Sequence, residues 1–195
     1  DVLMLAPAYG GAELWRVNVR TGEHTVIEHG GVNTGGWGTD NQGTPVLRVD
    51  RVANGRGFAW LRRGPGQSSW TEIVRFIGAD GANSGITFQA VGAAGSPGQM
   101  FVLARRDGQN TTGLYVYDTS TGQYTQTVGE SADYDVSSPA FDPRTGTILA
   151  ACWWAQRWTC DPKDADFGRN WRSINHALGD RVNVHYLARG GPGNN

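Results

Sequence analysis

Leu114–Val128, LYVYDTSTGQYTQTV, reads as two alternating strand-forming runs on either side of a polar turn at Thr121-Gly122. That is the pattern of a β-hairpin. The same layout occurs 100 residues earlier as Leu14–Glu28, LWRVNVRTGEHTVIE. Leu14 matches Leu114, Trp15 matches Tyr115, and Thr21, Gly22 and Thr25 match Thr121, Gly122 and Thr125. A hairpin recurring at twice about 50 residues predicts a repeated unit with a further copy in between. A weaker copy is there: Phe58–Arg62 (FAWLR) and Trp70–Phe76 (WTEIVRF), joined by the longer loop Arg63–Ser69 (RGPGQSS).

Each hairpin is accompanied by a second pattern of strand, turn and apolar strand. Its three versions are Gly36–Asp50 (GWGTDNQGTPVLRVD), Phe88–Arg105 (FQAVGAAGSPGQMFVLAR) and Pro139–Trp153 (PAFDPRTGTILAACW). Their turns, Asn41-Gln42-Gly43, Ser96-Pro97-Gly98 and Arg144-Thr145-Gly146, again recur at about 50 residues. Four short strands per period predict an all-β chain built of β-propeller blades.

In chain order, Val2–Ala6 is expected to pair with Leu14–Val19 across Gly10-Gly11, and Glu23–Glu28 completes a unit lacking its first strand. The chain thus enters mid-blade. A full blade is expected over Val32–Phe76, turning at Asp40–Gly43 and Asn54-Gly55, and Asp80-Gly81 leads into a second over Ile86–Val128. A third begins at Val136, keeps its first two strands and then changes period. Phe167, Trp171, Ile174 and Leu178 fall at i, i+4, i+7 and i+11, which predicts an amphipathic helix over Phe167–Leu178 with Gly179 as its C-cap. Arg181–Ala188 reads as a strand, and Gly190–Asn195 as a turn or frayed end. The expectation is one domain, 1–195, of three and a half to four blades with one inserted short helix, an incomplete ring of a larger protein.

Composition narrows the function classes. Lys+Arg 17 against Asp+Glu 18 gives a net charge of −1, which weighs against a nucleic-acid or anionic-membrane partner. No run approaches the roughly 20 apolar residues of a membrane span. Asp1 stands directly before the apolar VLMLA with no basic leader, so the start reads as a mature or excised segment. The compartment stays open between periplasmic or secreted and cytoplasmic. The spacing of Cys152 and Cys160 permits a disulfide, and two buried thiols fit equally well. A metal site would need more ligands than these two.

No string carries catalysis. GANSG (Gly81–Gly85) and GSPG (Gly95–Gly98) place serine wrongly for a nucleophile elbow, and neither a phosphate-binding loop nor a zinc helix occurs. His24, His29, His176 and His185 are scattered polar residues. DADFGRN (Asp164–Asn170) faintly resembles a calcium loop, but its glycine falls one position early and no Glu closes it. Helix N-capping by Asp164 or Asp166 is the better account. Asp133 and Asp135 are read as part of a blade connection. Arg105-Arg106-Asp107-Gly108 is read as a solvated turn, the rival being a basic pore mouth. Trp153, Trp154, Trp158 and Trp171 are read as core ahead of a sugar-stacking platform. No catalytic residue, metal ligand or cofactor is assigned, and substrate-binding residues are left unassigned.

The strings LWRVNVRTGEHTVIEHGG, GWGTDNQGTPVLRVD and YDVSSPAFDPRTGTILAACW, with the following helix and RVNVHYLARG, resemble the amino-terminal propeller of bacterial prolyl oligopeptidase-family serine peptidases. The resemblance spans Val2–Ala188. The strand–Thr-Gly–strand phrase also occurs in TolB-like and WD-repeat propellers, whereas the helix interrupting the third blade is more distinctive. The resemblance implies a propeller seated over a C-terminal α/β-hydrolase domain, outside this chain, that carries Ser, Asp and His. The propeller then admits and positions peptide substrates without catalysing. The Glu-bearing helix by which dipeptidyl-peptidase relatives hold a substrate amino terminus has no counterpart, since Phe167–Leu178 contains no Glu. The rival readings are a stand-alone TolB-like or lectin-like binding propeller, and a small enzyme with its site dispersed over blade loops. Open edge strands also predict self-association.

Overall fold

A computed structural model describes residues 1–77, 88–106, 108–142, 145–179 and 182–185. The described residues are all-β apart from one α-helix and a 3-10 turn at Ala53–Gly55, and their strands form four antiparallel sheets in sequence order. The first holds β1 (Val2–Ala8), β2 (Gly11–Val17) and β3 (His24–His29). The second holds β4 (Thr34–Thr39), β5 (Pro45–Val52), β6 (Gly57–Arg62) and β7 (Thr71–Ile77). The third holds β8 (Phe88–Ala93), β9 (Gln99–Ala104), β10 (Gly113–Asp118) and β11 (Gln123–Gly129). The fourth holds β12 (Ala140–Phe141), β13 (Ile148–Trp154) and β14 (Trp158–Pro162), after which α1 (Ala165–Leu178) follows.

The repeated hairpin is reproduced down to its turn. In the first copy Asn18 Oδ1 accepts from the N–H groups of Arg20 and Thr21, and in the second Asp118 Oδ1 accepts from those of Ser120 and Thr121. Gly22 and Gly122 then donate back to the carbonyls of Asn18 and Asp118, both at φ 76°. That left-handed backbone is why glycine closes the turn each time. A bulge follows Leu14 in one copy and Leu114 in the other.

Two expectations are revised. Sheet four has a third strand, Trp158–Pro162, paired through Cys152↔Cys160, where the sequence reading stopped at two. Val182–His185 form no strand within the expected Arg181–Ala188; Asn183 Oδ1 instead accepts from the Trp158 N–H at 3.1 Å. The rest of that segment, Gly190–Asn195, Asp80-Gly81, Ile86 and Arg144 lie outside the described residues.

Packing follows the pleat. Successive residues of a strand face opposite ways, and the third sheet uses both faces. Met100, Val102, Tyr115 and Tyr117 cluster with Val46, Leu47 and Phe88 on the side of the second sheet. Phe101, Leu103, Leu114 and Val116 cluster with Val136 and Ala151 on the side of the fourth. The fourth sheet's other cluster, Leu149, Ala150, Cys152 and Cys160, is covered by Trp158, Phe167 and Trp171. By contrast Val2, Leu3, Met4 and Leu5 of β1 are all exposed.

The helix begins at Ala165, two residues before its apolar stripe. Asp164 Oδ1 accepts from the Phe167 N–H at 2.8 Å, and the Gly179 N–H returns to the Asn175 carbonyl at 3.0 Å, so Gly179 is the C-cap expected and Asp164, of the two aspartates offered, is the N-cap. Cys152 and Cys160 are joined in a disulfide across directly opposed positions of β13 and β14.

Candidate functional site

Polar side chains clasp the sheets together. Asp40, almost fully buried, accepts from the N–H groups of Gln42 (3.0 Å) and Thr44 (2.9 Å) in its own turn and of Gly98 (2.9 Å) in the third sheet. Beside it Asn41 Nδ2 donates to the Gly95 carbonyl at 2.8 Å. Arg62 donates to the carbonyls of Thr119 and Ser120, both at 2.8 Å. Arg63 links the first sheet to the second: it forms a two-pronged pair with Glu28 (3.1 and 2.7 Å), and its guanidinium lies 4.2 Å from the Trp70 ring centre. Such planar, two-bond pairing fixes orientation as well as attraction.

Those clasps hold apart a cleft between the first strands of sheets two and three. It has a volume of about 420 Å³ between Gly36–Thr39 of β4, with the following Asp40, and Ala90–Ala93 of β8, with Val49, Trp60 and Met100 behind. That is within the ~300–1,000 Å³ of ligand sites. Trp37, on its wall, has a buried Nε1 with no partner among the described residues. A second, smaller pocket of about 270 Å³ lies where α1 meets β13, lined by Leu149, Phe167, Trp171 and Ile174 with Asp164, Asn170 and His185 at its polar positions. Next to it His185 stacks on Trp158 at 4.8 Å and Trp154 closes the group at 5.2 Å.

The residues singled out from sequence are distributed as follows. Trp158 and Trp171 pack on the fourth sheet's core and Trp153 on the cluster it shares with the third, while Trp154 is 51% exposed. Asp135 lies in the connection between β11 and β12, accepting from the Thr112 N–H at 2.6 Å and from Arg105 at 3.4 Å. Those donors, the Thr112 N–H foremost, hold its carboxyl below the usual range. Arg106 lies over Tyr115 and Tyr124, so both arginines of the basic turn are engaged by their own neighbours. Tyr115 donates to Glu130 at 2.6 Å; burial first and that bond second push its phenol up, and the same bond draws Glu130 down. Asp164 caps its helix, and Asp166 pairs with Arg169. Among the described residues no three His, Cys, Asp or Glu gather as a metal site, and no helix is long and apolar enough to cross a membrane.

Sequence reasoning missed the β4/β8 cleft. Its two walls are about 50 residues apart, and the sequence reading took each only as the opening strand of its own repeat. The chain matches no protein-family profile and no curated protein.

Proposed function

We propose that the four sheets are consecutive β-propeller blades, and that the chain is the non-catalytic, substrate-gating portion of a prolyl oligopeptidase-like serine peptidase. The carrying observation is the order of packing. Each sheet meets the next in sequence through clasps or a shared core, and the first strands of the two four-stranded sheets lie side by side at the cleft. A radial stack places first strands around an axis, so the cleft would be a stretch of the axial path. Blades held by buried Asp40 and by Arg62 and Arg63 do not part easily. The path therefore favours short or unfolded peptides on their way to a nucleophile in a C-terminal α/β-hydrolase domain.

The test is to read the coding frame on both sides of these 195 residues and to treat the parent protein with a fluorophosphonate serine probe. The expected result is a downstream Gly-x-Ser-x-Gly domain that is labelled while this chain alone is not. Labelling of the 195-residue chain would overturn the assignment. A lectin-like binding propeller is the second reading, favoured by the exposed Trp154 and the aromatic pocket beside α1. Glycan-array binding that disappears in Trp154→Ala would support it instead.

A further inference from the structure

We infer that the β4/β8 cleft holds an extended polypeptide by its main chain, as a strand added to the outer edge of β4; this rests on the peptide-gating reading and says how the substrate would be gripped. Among the described residues β4 pairs only with β5, and β8 only with β9. In an antiparallel pair alternate residues turn their N–H and C=O away from the partner, so both strands offer rows of unmet donors and acceptors to the cleft. Natural edges are usually blunted by charge, proline, a bulge or a covering element. Neither TGGWGT of β4 nor FQAVGA of β8 carries a charge or a proline; β8 shifts register between Ala90 and Gly92, and β4 between Thr34 and Gly36 and between Gly38 and Thr39, so Gly36–Gly38 is its regular stretch.

The open stretch of β4 is at Gly36. A Cβ built there would meet only Val49 Cγ1, at 4.0 Å, whereas one on Gly38, which faces the same way, would meet Met100, Leu47 and Ala90 at 3.2, 3.3 and 3.7 Å. Trp37 Nε1 adds a buried donor that no acceptor meets among the described residues. A periodic edge of this kind is matched by another extended backbone and by little else, and recognition through it is indifferent to most side chains. Trp60 and Val49 supply an apolar wall for alternate residues of the guest.

The experiment uses the isotope-labelled 195-residue chain and a capped hexapeptide of alternating alanine and threonine. Two further versions carry N-methyl groups on the amides of one edge or of the other. Amide shifts should concentrate in residues 34–39 and 88–93. Methylation of one edge should weaken binding about tenfold, the worth of one to two net hydrogen bonds, and methylation of the other should leave it nearly unchanged. Gly36→Leu should weaken the unmodified peptide similarly with an unaltered melting curve; if that variant does not fold, the methylated pair still decides. Shifts confined to the α1 pocket, equal binding of all three peptides, or no shift at millimolar peptide would overturn the inference. So would the same amides shifting with protein concentration alone, which would make the guest a second copy. A labelled hydrolase domain without peptide shifts sinks the inference alone, and peptide shifts in a protein lacking that domain sink the peptidase reading alone.

Discussion

Replacing Asp40 with alanine tests whether the second and third sheets are held by one buried carboxylate. The side chain is 4% exposed and receives three N–H groups, those of Gln42, Thr44 and Gly98. Hydrogen bonds to a charged group contribute about 1.5–3 kcal/mol each, and a buried donor left without a partner costs about 1–3 kcal/mol. Water can reach the turn donors after truncation, so they should lose the least. The Gly98 N–H is buried and should lose its whole contribution. The expected destabilisation is about 3–5 kcal/mol, a large part of the ~5–15 kcal/mol that typically holds a domain. Asp40→Asn keeps one acceptor and should lose about half as much. Urea unfolding followed by tryptophan fluorescence measures both, with the slope of free energy against urea unchanged if the native fold persists. A loss below about 1 kcal/mol for Asp40→Ala, or equal losses for the two variants, would refute the reasoning.

Other expectations are independent of that clasp. Arg63→Ala should cost about 2 kcal/mol, and a double-mutant cycle with Glu28→Gln should show coupling of about 1 kcal/mol, since both side chains are mostly buried; strictly additive losses would say the pair does not hold the sheets. Burial raises the Tyr117 phenol to about 12. A raised acid is disfavoured as phenolate in the folded state, so stability should be intact below pH 10 and fall between about 10 and 12, with late phenolate absorbance as the readout; ordinary titration of all tyrosines would contradict it. At the acid end the lowered carboxyls of Glu130 and Asp135 contribute stability that is lost as pH falls below their ordinary values of 4.5 and 3.8, and Glu130→Gln should flatten that slope in urea unfolding measured across pH. Finally, the exposed Val2–Leu5 of β1 should drive dimers or larger species in sedimentation runs, relieved by Leu5→Lys; a monodisperse wild-type monomer would contradict a sticky β1.

What the sequence revealed was local. The Thr-Gly turns of both hairpins, the i, i+4, i+7 stripe of α1 and its Asp164 and Gly179 caps are written within a few residues of where they act. What it hid depends on partners far along the chain. Nothing near Asp40 announces Gly98, and nothing near Arg63 announces Glu28. β14 escaped because WTCDP is short, mixes polar with apolar residues and ends in proline; it is a strand because β13 supplies its pairing and Cys152–Cys160 ties it. The cleft escaped for the same reason: Gly36 and Gly92 belong to strands of different repeats, and nothing near either one announces the other.

The two-faced third sheet gives the molecule a gradient of sturdiness. Its strands pack into clusters on either side, whereas among the described residues the first sheet adds nothing to those clusters and turns β1 to water. In arrays where each unit touches only those next to it, cohesion accumulates at shared boundaries. Hydrogen exchange should therefore spread inward from the amino end, with Val102 and Tyr115 among the last amides to release their protons.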